Sequence, residues 1–174
     1  MLSLSLSLFL FLAGCEIDHG LAPPSPEPPE ELGSISGTIT YVGSWPDSVE
    51  DVRVAVYAQY PPPNFFAISG FSDSLPIGVP VADYSVKVKP GVYEWVIVVL
   101  LKKGSWWGPE SLLGAYYAPS DTTRPGVVTV DPGAAVTGID IIADFSRLGV
   151  LPPEVEGILK KKWGRVHIFL TPGM

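Results

Sequence analysis

Residues 84–101 restrict the fold of this chain more than any other segment. Tyr84 to Lys89 alternate apolar and polar side chains, which is the period of two of a β-strand with one covered face. Pro90-Gly91 follows and predicts a tight reversal, because proline fixes the first central turn position and glycine accepts a positive φ at the second. The next run, Val92 to Leu101, is apolar on both faces after Glu94, so we expect a central strand that is covered on both sides.

The same alternation appears in two earlier segments, and later segments predict further strands. In residues 84–89 the inward residues are Tyr84, Val86 and Val88; in 35–41 they are Ile35, Ile39 and Tyr41; and in 52–57 they are Val52, Val54 and Val56. The later segments are 112–117, 126–130 and 138–145, and Ile142 breaks the alternation of the last one. About seven short strands separated by turn residues predict an all-β fold, an antiparallel β-sandwich, over residues 34–148.

Composition excludes several other classes of protein. Of the 174 residues, 18 are glycine and 19 are proline, which argues against a helical bundle. Acidic residues outnumber basic ones by 18 to 11, so the net charge is −7 and we expect no nucleic-acid partner. A single cysteine cannot form an intramolecular disulfide framework or a cysteine-rich zinc site.

Several short motifs follow the order seen in one family of sandwich domains. In chain order they are Ile35-Ser-Gly37-Thr-Ile39, the Val-rich segment 52–57, Pro90-Gly91-Val92-Tyr93, Val127-Val-Thr-Val130 and Val136-Thr-Gly-Ile-Asp-Ile141. Over residues 34–146 this order resembles the carboxypeptidase-regulatory-like domains, which implies an immunoglobulin-like or prealbumin-like (Cna B-type) sandwich. The resemblance implies a fold and no reaction, because such modules are mostly accessory.

Residues 1–14 have the character of a secretory signal peptide. Their apolar stretch is shorter than the about 20 residues that cross a bilayer, but it suits the apolar region of a signal. Leu12-Ala13-Gly14-Cys15 resembles the lipobox of bacterial lipoproteins, in which the cysteine thiol receives a diacylglyceryl group and cleavage precedes the cysteine. The resemblance implies that Cys15 is the lipid attachment point. The alternative is a buried N-terminal strand in which leucine and serine alternate.

Residues 15–33 predict a tether between the lipid and the domain. They are rich in proline, contain five acidic residues and have no Lys or Arg. Such a segment cannot bury a core and favours extended polyproline II. Glu16 and Asp18 resemble the early acidic residues that sort some bacterial lipoproteins to the outer face of the outer membrane. We therefore expect a lipid-anchored protein of the cell envelope, at the outer membrane or the cell surface.

Residues 149–174 predict a basic C-terminal strand or hairpin, or alternatively a truncated second repeat of the sandwich. Val155-Glu-Gly157-Ile-Leu159 echoes residues 35–39, and Arg165-Val-His-Ile-Phe169 echoes residues 53–57. Lys160, Lys161, Lys162 and Arg165 make this segment basic, and such runs are usually solvated.

The sequence contains no set of residues with catalytic or metal-binding spacing. Its two histidines, His19 and His167, belong to neither an HExxH nor an HxxE pattern, and a nucleophile elbow or a phosphate-binding glycine loop is absent. We therefore expect no enzymatic activity, no catalytic residue, no metal site and no cofactor. The alternative is an unrecognised envelope hydrolase that uses two carboxylates, such as Asp140 and Asp144.

Adjacent aromatic residues are the sequence feature that best indicates a binding surface. The chain contains Phe65-Phe66, Trp106-Trp107 and Tyr116-Tyr117. Exposed rings stack on sugars or anchor protein partners. The alternative is that they cover the ends of the core, with one ring of each pair buried, because neighbouring residues of a strand point to opposite faces. The candidate ligand surface is Trp106, Trp107, Tyr116 and Tyr117.

These features together predict a lipid-anchored, extracytoplasmic and non-catalytic β-sandwich that displays a binding or scaffolding surface in the bacterial cell envelope. An alternative is a carbohydrate-binding module. The expected partners are the membrane, through the N-terminal lipid, and a glycan or an envelope protein.

Overall fold

The structure, a computed structural model, describes residues 31–162. The predicted signal peptide, Cys15 and most of the tether lie outside the described residues, as do residues 163–174 with His167. Within the described range the strands are β1 (Gly33–Val42), β2 (Val49–Tyr57), β3 (Gly70–Phe71), β4 (Val81–Val88), β5 (Gly91–Tyr93), β6 (Trp95–Lys102), β7 (Leu112–Ala115), β8 (Tyr117–Ala118), β9 (Asp121–Pro125), β10 (Val128–Val130), β11 (Ala135–Val136) and β12 (Ile141–Asp144). One α-helix, α1 (Pro153–Lys162), and two short 3₁₀ turns, Pro109–Ser111 and Phe145–Arg147, complete this part of the chain.

The prediction of an all-β sandwich is confirmed. One sheet places β1 between β4 on one side and β11 and β12 on the other, and the second has the order β3-β2-β6-β7. Two ribbons, β5 with β10 and β8 with β9, lie beside these sheets. The described strands number twelve instead of about seven, because many are only two to four residues long. A further difference is that β1 pairs with β11 and β12 in parallel.

The core between the sheets is built from the faces that the alternation predicts. Ile35, Ile39 and Tyr41 of β1 are buried, as are Val52, Val54 and Val56 of β2 and Tyr84, Val86 and Val88 of β4. In β4 every second residue is exposed, so the two faces of the strand separate cleanly. Each fully buried side chain of this size stabilises the fold by about 1.5–3 kcal/mol relative to an exposed one.

Strand β6 is covered on both faces, as its apolar run predicts. It lies between β2 and β7, and residues 95–100 are all buried. Val96, Val98 and Leu100 face the main core. Trp95, Ile97 and Val99 belong to a second cluster, with Tyr57, Phe65, Leu112 and Val155. We call this second cluster the outer core, since it covers the far face of the β3-β2-β6-β7 sheet.

The predicted tight reversal at Pro90-Gly91 is wrong. Strand β4 pairs with β1, whereas β5 pairs with β10 and β6 pairs with β2 and β7, so the chain crosses between sheets here instead of forming a hairpin. Gly91 has no positive φ. A proline-glycine pair suits a turn within a hairpin and equally a connection between two sheets. Tertiary packing decides which of the two forms.

The predicted strand or hairpin in the C-terminal segment is wrong for residues 153–162, which form α1. Proline at the first helical position needs no backbone donor, and Glu154 and Glu156 in the first turn favour the positive end of the helix dipole. The helix docks through Val155, which is 2% exposed in the outer core. The rest of the predicted hairpin, residues 163–174, lies outside the described residues.

Candidate functional site

A cleft of about 790 Å³ lies where the edges of the two sheets approach each other. Its walls come from β7, from β12 and from residues 147–154 that follow β12, while β8 and β9 contribute from one side. Tyr60, from the proline-rich loop after β2, also contributes to the wall. These segments are far apart in sequence, so the cleft is a product of the fold.

The cleft forms because β7 and β12 come close without pairing as strands. A Cβ atom on Gly114 of β7 would lie 3.2 Å from Ala143 Cα and closer still to the carbonyl oxygen of Ile142. Only glycine therefore fits at this position. Beyond the close approach, the Gly149 amide donates to the Leu112 carbonyl oxygen at 2.7 Å, and this bond holds the segment after β12 against β7.

Three large apolar side chains of the cleft are open to solvent. Ile142 is 68% exposed, Val150 is 55% exposed and Tyr117 is 37% exposed. Ile142 is the residue that breaks the alternation of its strand, and the break brings an isoleucine to a position where a polar residue is usual. An accessible apolar surface inside a concave site is the usual lining of a ligand pocket.

Two aspartates at the cleft are held in their ionised form. Asp140 Oδ1 accepts hydrogen bonds from the Thr38 hydroxyl at 2.6 Å and the Thr38 amide at 2.8 Å, and these bonds lower the pKa of Asp140 below its ordinary value. Asp144 Oδ1 accepts from the Ser146 hydroxyl at 2.7 Å and the Ser146 amide at 2.9 Å, with the same effect on its pKa. Both carboxylates are therefore acceptors at neutral pH.

The spacing of these two aspartates does not suit a pair of catalytic carboxyls. Asp140 and Asp144 are four positions apart in the chain, which is about 13 Å between their Cα atoms where the backbone is extended. Hydrolysis of a glycoside needs carboxyls within about 5–9.5 Å, and one of them must have a raised pKa to act as the acid. The structure brings both aspartates to the lining of the cleft, and the lowered pKa of each does not suit a general acid.

Tyr60 and Glu154 both line the cleft and are joined by a hydrogen bond. The Tyr60 hydroxyl donates to Glu154 Oε2 at 3.2 Å, and the Tyr60 amide donates to Glu94 Oε2 at 2.9 Å. The Tyr60 ring packs on Trp95 with ring centroids 5.7 Å apart. Burial, and secondarily the charge of Glu154, raises the pKa of the Tyr60 phenol to about 12. This contact ties the proline-rich loop to the start of α1.

The structure separates the four residues of the predicted ligand surface. Tyr117 lines the cleft, and Trp106 is 86% exposed in the loop after β6. Trp107 packs against the outer core and meets Phe71 edge-on, with ring centroids 5.6 Å apart. Tyr116 packs against the main core and covers Gly126. Of the four, Tyr117 alone is a cleft residue.

Sequence reasoning missed most of the cleft. Tyr60, Thr122, Arg147, Val150 and Glu154 line it, and none of them stands in a recognisable motif. The broken alternation at Ile142 was the visible signal, since an exposed isoleucine in a sandwich strand requires an explanation. Among residues 31–162 no group of three or more His, Cys, Asp or Glu side chains could hold a metal ion. No helix in that range is long and apolar enough to cross a membrane.

Neither the known protein-family models nor the curated protein sequences give a match to this chain. The resemblances to bacterial lipoproteins and to carboxypeptidase-regulatory-like domains therefore stay predictions.

Proposed function

We propose that this protein is a lipid-anchored, non-catalytic binding module of the bacterial cell envelope. The observation that carries the proposal is the cleft, which combines solvent-exposed apolar side chains with a polar rim. That combination is typical of sites that bind a ligand through surface contact and hydrogen bonds. The binding surface in this proposal is the cleft, with Tyr117 as its exposed aromatic ring.

The non-catalytic part of the proposal is supported by the chemistry of the rim. Asp140 and Asp144 have lowered pKa values, so neither is a general acid at neutral pH. A hydrolase would also need a second carboxyl within reach of the first. The rim groups are suited to holding hydroxyls and amides in place.

The anchor is supported by the sequence ahead of the domain. Cys15 lies 33 − 15 = 18 residues before β1 begins at Gly33. If these residues are extended in polyproline II at about 3.1 Å each, the domain can stand roughly 55 Å from the lipid. One acyl chain binds a membrane only weakly, but the two chains of a diacylglyceryl group hold a protein stably. A module on such a tether can reach ligands well beyond the head groups.

The anchor is tested by membrane fractionation of the full chain expressed in a bacterium. Cys15→Ser should move the protein from the membrane pellet to the soluble fraction, because the thiol that carries the lipid is gone. The matched control adds Ser25→Cys to Cys15→Ser, which restores one thiol ten residues downstream of the lipobox. This double variant should also be soluble. Retention of Cys15→Ser in carbonate-washed membranes would contradict the anchor.

A further inference from the structure

We infer that the cleft binds a neutral oligosaccharide, with the apolar face of one sugar ring packed on Tyr117 and Ile142. This inference rests on the proposed function, because it names the ligand class of the same cleft. Four features of the cleft carry it: its exposed apolar floor, its unused hydrogen-bonding atoms, its charge and its closed strand edge.

The apolar floor suits a ring that has a C–H face. Tyr117 and Ile142 both line the cleft and are 37% and 68% exposed. The face of an aromatic ring carries partial negative charge and attracts the weakly positive C–H groups of a sugar ring. Ile142 adds a second exposed apolar side chain to the lining of the same cleft.

The rim offers both kinds of hydrogen-bonding group that a sugar hydroxyl needs. Asp140 and Asp144 use Oδ1 for their bonds within the protein, and Oδ2 of neither carboxylate has a hydrogen-bond partner among residues 31–162. These two oxygens are hydrogen-bond acceptors, and the charge of Arg147 acts on Asp144. Thr122 and Arg147 add donors to the same rim. A hydroxyl both donates and accepts, so it can use acceptors and donors that stand side by side.

The charge of the cleft selects against anions. Its lining contains three acidic residues, Asp140, Asp144 and Glu154, and one basic residue, Arg147, so its formal charge is 1 − 3 = −2. Phosphates, sulfated glycans and nucleotides are repelled by such a site. A neutral ligand pays no such penalty and still gains the hydrogen bonds to the carboxylates.

The closed strand edge argues against a peptide that adds to the sheet. Such a peptide needs free backbone groups along the edge strand. In β7 the Leu112 carbonyl is already bonded to the Gly149 amide, and just after β7 the Tyr116 carbonyl accepts from the Gly126 amide at 3.0 Å. These two bonds and the close contact of Gly114 with the β12 backbone leave little of the β7 edge open to a peptide, so recognition in the cleft relies on side chains.

The test is isothermal titration of the full mature chain in detergent with a panel of tetrasaccharides. The neutral probes are cellotetraose, maltotetraose, xylotetraose, mannotetraose and chitotetraose, and a heparin-derived tetrasaccharide is the anionic probe. We expect at least one neutral probe to bind with a Kd below about 1 mM and the anionic probe to bind more weakly. Tyr117→Ala should weaken binding of that probe by about tenfold or more, because it removes the stacking surface.

Two further variants make the result decisive. Ile142→Asp places a polar residue at an exposed position, so the variant should fold. It adds a charge to the apolar floor and should therefore weaken binding. This variant tests the cleft if Tyr117→Ala unfolds. Trp106→Ala is the matched control, because Trp106 is an exposed ring outside the cleft lining, and it should change the affinity less than twofold.

Three outcomes overturn the inference. The first is that no neutral tetrasaccharide binds with a Kd below about 1 mM. The second is that Trp106→Ala abolishes binding while Tyr117→Ala leaves it intact, which puts the sugar on the other loop. The third is that the anionic probe binds best. None of these bears on the lipid anchor, which fails separately if Cys15→Ser stays in the membrane.

Discussion

Substitution of Gly114 by alanine tests the close approach of β7 and β12, on which the cleft depends. The added Cβ would lie 3.2 Å from Ala143 Cα and nearer to the carbonyl oxygen of Ile142. Both atoms belong to backbone, so no flexible side chain can move aside. Restoring ordinary contact requires the two strands to separate by roughly an ångström.

The magnitude follows from what this separation disturbs. Ile141 and Ala143 of β12 are buried in the main core, 2% and 0% exposed, so moving the strand disturbs packing on its inner face. Overpacking of this kind typically costs about 1–3 kcal/mol of unfolding free energy. For a folded part of about 130 residues, 1 kcal/mol changes Tm by roughly 4 °C, so Gly114→Ala should lower Tm by about 4–12 °C.

The assay is thermal unfolding followed by far-UV circular dichroism, with Gly91→Ala as the matched control. Gly91 also lies in a strand, has no positive φ, and its added Cβ would meet a single atom, the Tyr93 hydroxyl oxygen, at 4.0 Å. The control should stay within about 0.5 kcal/mol of the parent protein. If Gly114→Ala unfolds at the same temperature as Gly91→Ala, the two strand edges are not in contact and the account of the cleft is wrong.

Two further predictions concern stability. Burial raises the pKa of Tyr41 to about 12, and it also raises the pKa values of Tyr57 and Tyr84. The pKa of a tyrosine in the unfolded chain is about 10, so the stability that these phenols contribute is complete below about pH 10. This contribution is lost as the pH rises towards 12. Tyrosinate absorbance at 295 nm should therefore rise together with loss of the circular dichroism signal. Ionisation of these phenols near pH 10 while the protein is still folded would contradict their burial in the core. Val155→Ala should lower the unfolding free energy in urea by about 1–2 kcal/mol, because it removes two buried methyl groups from the outer core. Gly157→Ala is the control for Val155→Ala, because a Cβ atom at Gly157 meets nothing within 4 Å. Alanine in a helix should raise the unfolding free energy by about 0.5–1 kcal/mol relative to glycine. Equal stability of the two variants would mean that α1 does not dock.

The sequence predicts buried residues best where one face of a strand is exposed to solvent. Alternation in β4 predicts its inward residues because the side-chain period of a strand is two, whatever the neighbouring strands are. Phe65 is 3% exposed and Phe66 is 60% exposed, but both lie in a turn between β2 and β3, so strand alternation does not explain this difference. The doubly covered β6 was predictable because a strand with no polar face has to be buried on both sides.

The features that sequence reasoning missed depend on contacts between distant segments. Pro90-Gly91 has the composition of a turn, but which sheet the next strand joins is decided by packing far from the turn itself. Helix α1 was missed because the segment was interpreted as a strand from its echo of residues 35–39, although Val155, Ile158 and Leu159 recur at the spacing of a helix. The cleft was missed because Tyr60, Tyr117, Ile142 and Glu154 converge only after the sheets are assembled.

The anchor at Cys15 is the central claim, and the intact mass of the protein extracted from bacterial membranes tests it most directly. The account predicts a chain that begins at Cys15, has lost residues 1–14 and carries the added mass of a diacylglyceryl group, with or without a further acyl chain. A polypeptide that retains residues 1–14 and carries no lipid would contradict it.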